Sequence, residues 1–304
     1  MTGAGILRRS VAVALMLVFL TGCESDGRDV HAGDGREHFY VVARNGISVA
    51  NPEFRFATVS WPGQPVDEHS VRVAAEPQWA RAGEERYSVQ SFDIYRNVRG
   101  ATLISPAGTS DIHKPVFPDT RMRRVLRRLG AEKQPDDSAG LLDHLGNAVA
   151  VTAVVELRTP MTSEQHESAY GVRGDNILIS SGVAGDVPLY WDRTPACEER
   201  QVARNCEDLP LFEEFRAWVA LLRSADQSVL SAVGLQLPNV QEAAARGRIV
   251  GYVDDNTAPS ELRLLLRDKR VRAVHIIDAR LNCETAGRMV CEPALWSTSV
   301  PAPS

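Results

Sequence analysis

The spacing of apolar residues divides the chain into a β-patterned first part and a later part in which strands and helices alternate. Before residue 119, short runs rich in β-branched and aromatic residues alternate with turn residues such as Asn45-Gly46 and Pro62-Gly63. These runs predict strands over residues 39–43, 56–61, 71–75, 87–98 and 101–104. Together they indicate a small antiparallel β domain over residues 38–118.

The spacing of apolar residues changes from a strand-like to a helical period at residue 119, where a basic helix is predicted. Apolar residues from Met122 to Leu129 recur at helical spacing, arginines occupy the positions between them, and Gly130 is a natural stop. Arginines in this arrangement suit anionic lipid head groups, but the stripe favours a helix packed on the domain with a solvated outer face. Residues 119–145 are therefore interpreted as a basic helix followed by a linker, with the linker at 132–140.

Residues 146–282 have the pattern of an α+β domain. A run of Val and Ala at 148–157 predicts a strand buried on both faces. The later predicted elements are a helix at 162–170, strands at 177–180 and 188–191, helices at 211–222 and 240–246, and a strand, helix and strand at 248–253, 260–267 and 271–278. With the helices at 211–246 taken as an insertion, the remaining elements contain the order β-α-β-β-α-β with one strand more, which indicates a ferredoxin-like fold. Residues 283–304 are interpreted as a C-terminal tail.

The first 22 residues have the pattern of an export signal. Arg8 and Arg9 precede an apolar run over 11–20, about half the roughly 20 residues that a membrane-spanning helix needs. The run ends in Leu20-Thr21-Gly22-Cys23, which resembles the lipobox of bacterial lipoproteins. The resemblance implies cleavage before Cys23, a diacylglyceryl group on its thiol, acylation of the new amino terminus, for example with palmitate, and attachment to the extracytoplasmic side of the cell membrane.

Two alternatives to the lipobox interpretation remain open: an ordinary secretory leader with a chance cysteine, and export by the twin-arginine route through Arg8-Arg9-Ser10. Residues 23–37 are polar and glycine-rich, which predicts a flexible tether. The formal net charge of −5 becomes more negative when the leader is removed, which argues against nucleic acid as a partner. Only three of the 34 basic residues are lysines, a bias typical of the GC-rich genomes of actinobacteria.

Apart from Cys23, the cysteines form two local pairs, Cys197 with Cys206 and Cys283 with Cys291. In an oxidising compartment an even number of cysteines favours disulfides, and short loops are easiest to close. Three connectivities are possible, and the local one is preferred. A metal site is the alternative, but neither pair has zinc-knuckle spacing or a histidine close by.

Motifs of catalysis and cofactor binding do not occur in the sequence. It lacks G-x-S-x-G, S-x-x-K, H-E-x-x-H, a dinucleotide-binding glycine motif and a P-loop. Its seven histidines are scattered; His275 is interpreted as a hydrogen-bonded structural residue of the last strand, whereas His69, His113, His144 and His166 are assigned to turns or exposed helix faces. No catalytic residue, metal or cofactor is therefore predicted.

The acidic segment 254–259 admits two interpretations. Asp254, Asp255 and Asn256 supply oxygen atoms of the kind that calcium prefers, but they lack the usual ligand spacing of a calcium loop. A helix start, with a capping side chain and Pro259 in the first turn, explains the segment better.

Tryptophans provide the candidates for partner contact. Trp218 lies at helical spacing from other apolar residues and is assigned to the core. Trp61 comes directly before the Pro62-Gly63 turn and Trp79 falls in a polar loop, and aromatic residues are enriched at binding hot spots. The sequence therefore predicts that these two residues contact a partner.

The later part of the chain also resembles a known regulatory domain. Residues 153–162 (AVVELRTPMT), 247–253 (GRIVGYV), 259–262 (PSEL) and 271–274 (VRAV) are similar to the C-terminal domain of extracytoplasmic sigma-factor regulators. The chain departs from that family because it has no cytoplasmic sigma-binding part. The resemblance implies a sensory module that signals through another membrane protein.

These observations favour a lipid-anchored, non-enzymatic protein that binds an envelope protein, as a binding or sensory and regulatory module. An envelope hydrolase whose site is assembled from residues distant in sequence is the alternative. A passive envelope scaffold is a third hypothesis, which differs from the first in having no saturable ligand.

Overall fold

The computed structural model describes residues 35–55, 65–67, 70–77, 90–96, 99, 102–106, 120–130, 138–146, 148–171, 176–182, 186–192 and 209–281. Its helices are α1 Gly35–Ala50, α2 Arg121–Leu126, α3 Ser138–His144, α4 Ser163–Tyr170, α5 Leu211–Leu221, α6 Gln227–Ala232, α7 Leu237–Arg246 and α8 Pro259–Leu265. Its strands are β1 Phe54–Arg55, β2 Pro65–Asp67, β3 Ser70–Pro77, β4 Gln90–Arg96, β5 Thr102–Pro106, β6 Val149–Met161, β7 Asn176–Ile179, β8 Leu189–Asp192, β9 Ile249–Thr257 and β10 Val271–Leu281.

The described part is a mixed α and β structure with two antiparallel sheets. The first sheet has the order β1-β3-β4-β5, with β2 paired to β3. The second has the order β10-β6-β9-β7-β8, and each of its neighbouring pairs is antiparallel. The predicted α+β class is confirmed at this level.

Strand β6 lies inside the second sheet and is buried on both faces, as predicted for residues 148–157. Side chains of a strand alternate between its faces. Val151, Ala153 and Val155 accordingly enter one hydrophobic cluster, here the main core, and Val154 enters another, here the small core. Both faces of the sheet therefore need apolar cover.

Helices cover the main-core face. In α5, Phe215 and Trp218 are fully buried, and their rings contact Trp191 of β8 with centroid separations of 5.5 and 5.6 Å. Such aromatic pairs contribute about 0.5–1.5 kcal/mol beyond the area they bury. The assignment of Trp218 to the core is confirmed.

Helix α2 covers the small-core face. Met122 and Leu126 of its apolar stripe are buried against Val154, Tyr190 and Ile277 of the second sheet. The predicted packing of this helix through its stripe is therefore confirmed, although the helix is shorter than the predicted 119–129.

The strand predicted over residues 39–43 is wrong, because these residues lie in α1. Almost every side chain from Phe39 to Val49 is buried, including the polar Arg44 and Asn45, so the segment is enclosed on all sides and its short β-branched run carries no helical period. The Asn45-Gly46 turn signal also misleads: a Cβ at Gly46 would lie 3.2 Å from Val233 Cγ2, so the glycine permits close helix packing. Tertiary packing overrides local propensity here.

Smaller corrections concern element ends. Helix α3 begins at Ser138, inside the predicted linker, and α1 begins at Gly35, inside the predicted tether. Helix α6 was not predicted. Residues 254–257 continue β9, and α8 starts at Ala258 without a side-chain cap, although the predicted Pro259 does occupy its first turn.

All described residues belong to one compact unit. Residues of α1 and β4 share the main core with β6–β10, so this core crosses the boundary predicted between the β-rich and the α+β domain. The domain limits themselves remain predictions.

A close approach of β6 and β9 allows a test of this sheet. A Cβ built on Gly251 would lie far inside the contact distance of the Val155 carbonyl oxygen, which is backbone and cannot rotate away. We expect Gly251→Ala to lower the free energy of unfolding by about 2–3 kcal/mol. Gly146→Ala is the matched control, since a Cβ there meets nothing within 4 Å. Equal urea midpoints for the two variants would contradict this account.

Candidate functional site

Every site residue proposed from the sequence lies outside the described residues. This applies to the lipidation candidate, the four paired cysteines and the two contact tryptophans: Cys23, Cys197, Cys206, Cys283, Cys291, Trp61 and Trp79. Their roles stay predictions. The chemistry of the described residues lies elsewhere, in four polar groups.

The first group is centred on Glu156 of β6. Antiparallel pairing with β10 places Glu156 opposite Ala273, so that Arg272 and His275 flank it. His275 Nε2 lies 3.1 Å from Glu156 Oε2, Arg272 Nη1 lies 3.2 Å from Oε1, and the Gly130 backbone N–H donates to Oε1 at 2.9 Å. One carboxylate thus binds a cation, an imidazole and the backbone that follows α2.

Burial decides what this group can do. The side chains of Glu156 and His275 are only 3% and 4% exposed. A general base must reach the proton that it removes from a substrate, and this histidine is enclosed. The arrangement joins α2 to the sheet, and the prediction that His275 is a hydrogen-bonded structural residue is confirmed.

The second group lies at the end of β9. Thr152 Oγ1 donates to Asp255 Oδ1, and Thr257 Oγ1 donates to Asp254 Oδ1, both at 2.5 Å. Asn256 between the two aspartates has a positive φ of 57°, a conformation that asparagine tolerates better than most residues. The acidic side chains are therefore engaged by threonines of the sheet. Among the described residues, no three or more His, Cys, Asp and Glu side chains are placed to hold a metal ion.

The third group is a cluster of three rings beneath α4. His166 lies 5.3 Å from Tyr170 and 5.4 Å from Tyr252 between ring centroids, and it is 3% exposed. Its Nε2 has no hydrogen-bond partner within the described part of the chain. Burial lowers the pKa of His166 from 6.5 to about 4, so the ring is neutral at pH 7.

The assignment of His166 to a turn or an exposed helix face is therefore wrong. A capping box sets the phase of α4: Thr162 Oγ1 accepts from the Gln165 N–H, and Gln165 Oε1 accepts from the Thr162 N–H. In that phase His166 and Tyr170, four residues apart, share the inner face. The pair at this spacing was the signal that sequence reasoning missed.

The fourth group surrounds Glu53 and the start of α2. Glu53 is 1% exposed, accepts a hydrogen bond from Thr120 Oγ1 at 3.1 Å, and lies within the field of Arg123 and Arg127. Burial raises the pKa of Glu53 despite these cations. Arg128, which follows the helix, is exposed.

Comparisons with known proteins add no relative: the chain matches no protein-family model, no curated protein sequence and no solved structure. None of the described helices is both long enough and apolar enough to cross a bilayer.

The His166 cluster predicts a pH dependence of stability. Its folded pKa of about 4 lies below its ordinary value of 6.5, so stability is fully present above pH 6.5 and is lost as the pH falls toward 4. The loss from this group is at most about 3 kcal/mol. We expect His166→Phe to remove this part of the pH dependence in urea titrations between pH 7 and pH 4. His144→Phe, at an exposed site, should not, and an unchanged slope in His166→Phe would contradict the assignment.

The Glu156 group predicts a large cost for losing its carboxylate. Glu156→Ala leaves the imidazole of His275 and the guanidinium of Arg272 without this partner, and removing one member of a buried pair costs about 3–5 kcal/mol. Glu242→Ala removes an exposed carboxylate paired with Arg246 and should cost less than about 1 kcal/mol. Urea unfolding measures both. Similar small losses would show that the network contributes little.

Proposed function

We propose that the protein is an extracytoplasmic lipoprotein, anchored through lipid on Cys23, that binds an envelope protein without catalysing a reaction. The observation that carries the proposal is the order of the N-terminal features: two arginines, an apolar run of secretory length, and Leu20-Thr21-Gly22-Cys23 immediately after it. Two or more acyl chains make such an anchor stable, because one chain binds a membrane only marginally.

The binding role is supported by the use that the fold makes of its ionisable groups. His275 is committed to Glu156, and His166 is enclosed by two tyrosines. Asp254 and Asp255 accept hydrogen bonds from threonines of the same sheet. These groups serve packing, so partner contact is assigned to the surface, with Trp61 and Trp79 as its proposed residues.

A ferredoxin-like core is the proposed finer description of the second sheet. With β8 and helices α5–α7 taken as an insertion, the remaining elements run β6-α4-β7-β9-α8-β10, and their order in the sheet is β10-β6-β9-β7. That antiparallel order supports the proposal. The elements β9, α8 and β10 also cover the segments that resemble the sigma-factor regulator domain, which favours a sensory or regulatory role.

The anchor is tested by intact mass and membrane fractionation of the wild type beside Cys23→Ala and Cys197→Ala. We expect lipid on the wild type and on Cys197→Ala, and none on Cys23→Ala. An unlipidated wild type that fractionates as a soluble protein would overturn the proposal.

Thiol mapping on the same samples tests the disulfides. With local pairing, the wild type has no reactive thiol, and Cys197→Ala exposes the thiol of Cys206 alone. Reactivity at Cys283 or Cys291 in Cys197→Ala would show that the pairing is not local.

A further inference from the structure

The end of α8 presents apolar side chains to solvent. Leu262 and Leu265 of this helix are buried in the main core, whereas Leu264 is 62% exposed and Leu266 is 36% exposed. The contact of α8 with the sheet is made by Leu262 and Leu265, so the two exposed leucines are not needed for it. Full burial of a leucine contributes about 1.5–3 kcal/mol, so a ligand that covers these two gains appreciably.

Three cationic residues lie in the turn that follows the two leucines or are hydrogen-bonded to that turn. The Arg267 N–H donates to the Leu264 carbonyl at 3.0 Å, a three-residue turn that places these two side chains on the same side. Lys269 is exposed in the turn that follows. Arg158 enters from the end of β6, and its Nε donates to the Lys269 carbonyl at 3.2 Å. This group of Leu264, Leu266, Arg158, Arg267 and Lys269 is termed the α8 tip.

Within residues 259–272, all of which the structure describes, the two carboxylates do not neutralise the tip. Asp268 forms a two-pronged pair with Arg270, whose Nη2 lies 2.7 Å from Oδ2 and whose Nε lies 3.0 Å from Oδ1. This pair lowers the pKa of Asp268 and raises that of Arg270, so both remain charged and cancel each other. Glu261 stands at the opposite end of the helix. Arg158, Arg267 and Lys269 thus retain a local positive charge.

We propose that the α8 tip contacts the bilayer, with Leu264 and Leu266 entering the interface and Arg158, Arg267 and Lys269 contacting anionic lipid head groups. The inference rests on the proposed lipid anchor, which places the protein at the membrane. Leucines beside arginine and lysine are the composition of interfacial membrane contacts. Arginine is common to membrane and protein contacts, but protein interfaces are depleted in lysine, and leucine is under-represented among their hot spots.

The membrane affinity expected of the tip is that of a second, weaker attachment beside the lipid on Cys23. Each basic residue near an anionic surface contributes about 1 kcal/mol, within a Debye length. The tip alone therefore binds weakly, but an anchored protein meets the surface at a high effective concentration. The chain between Cys23 and Gly35 spans at most about 40 Å when fully extended, so the anchor keeps the folded part close to the head groups.

Hydrogen exchange on the lipidated full chain in vesicles tests the proposal. One vesicle preparation contains phosphatidylcholine alone, and the other contains equal parts of phosphatidylcholine and phosphatidylglycerol. We expect the backbone amides of residues 264–270 to exchange about tenfold more slowly in the anionic vesicles. High salt should reverse the effect.

Paired variants identify the side chains responsible. The double variants Leu264→Ser with Leu266→Ser, and Arg267→Glu with Lys269→Glu, should each abolish the added protection. Leu103→Ser and Arg248→Glu are the controls, because each makes one change of the same kind at an exposed position outside the tip and should retain the protection.

The possible outcomes distinguish a failure of the proposed tip contact from a failure of the proposed anchor. If intact mass shows lipid on Cys23 but the amides of residues 264–270 exchange at equal rates in both vesicle types, the proposed membrane contact of the tip is wrong. The proposed anchor is then unaffected. If the mass shows no lipid, the proposed anchor fails, and the same comparison at raised vesicle concentration still tests the tip. Protection that appears only when envelope proteins are added overturns the lipid assignment in favour of a protein partner.

Discussion

The burial of β6 on both faces is the constraint on which the described structure depends. A strand of Val and Ala in the middle of a sheet exposes apolar surface to each side, and each side must be covered. Helices α4–α8 and α1 cover the main-core face, and α2 covers the other. Gly251 brings β9 close to this strand, where any side chain would meet the Val155 carbonyl. The sheet and its two layers therefore stabilise one another.

The same strand also determines where the buried polar groups lie. Glu156 and Thr152 share the small-core face with Val154, and their partners come from β10 and β9. A buried carboxylate costs several kcal/mol unless it is paired and hydrogen-bonded, so the register that brings His275 and Arg272 to Glu156 is part of what specifies the sheet. Ionisable groups that resemble candidate chemistry in the sequence thus serve to hold one sheet register and the helix above it.

Two features with different physics are proposed to act at the same membrane. The lipid on Cys23 would supply a strong attachment without orientation, and the α8 tip would supply a weak contact with a defined direction. A lipid anchor alone leaves the folded part free to rotate, whereas a contact through one helix end fixes which face is presented to an envelope partner. Orientation is therefore the property that the tip adds.

Linear signals and strong periodicity were readable from the sequence. The predicted leader and the lipobox-like motif are linear signals, so the prediction about Cys23 comes from the sequence alone. The stripe of α2 and the apolar face of α5 were predicted because an amphipathic period records directly which side of an element is buried. The strand at 148–157 was predicted for a different reason, since a continuous run of Val and Ala indicates a strand buried on both faces. The strand predicted over residues 39–43 was wrong, since a short segment buried on all sides has no amphipathic period that could identify it as a helix.

Only the tertiary structure decided which distant residues meet. The pairing of Glu156 with His275 depends on the register between β6 and β10, and the meeting of Arg158 with the end of α8 depends on how the strand ends beside that helix. The burial of His166 depends on the phase that its capping box sets and on the sheet beneath it. Periodicity describes one element at a time, whereas register and packing are properties of pairs of elements, and the free energy that selects them is gained only when both are in place.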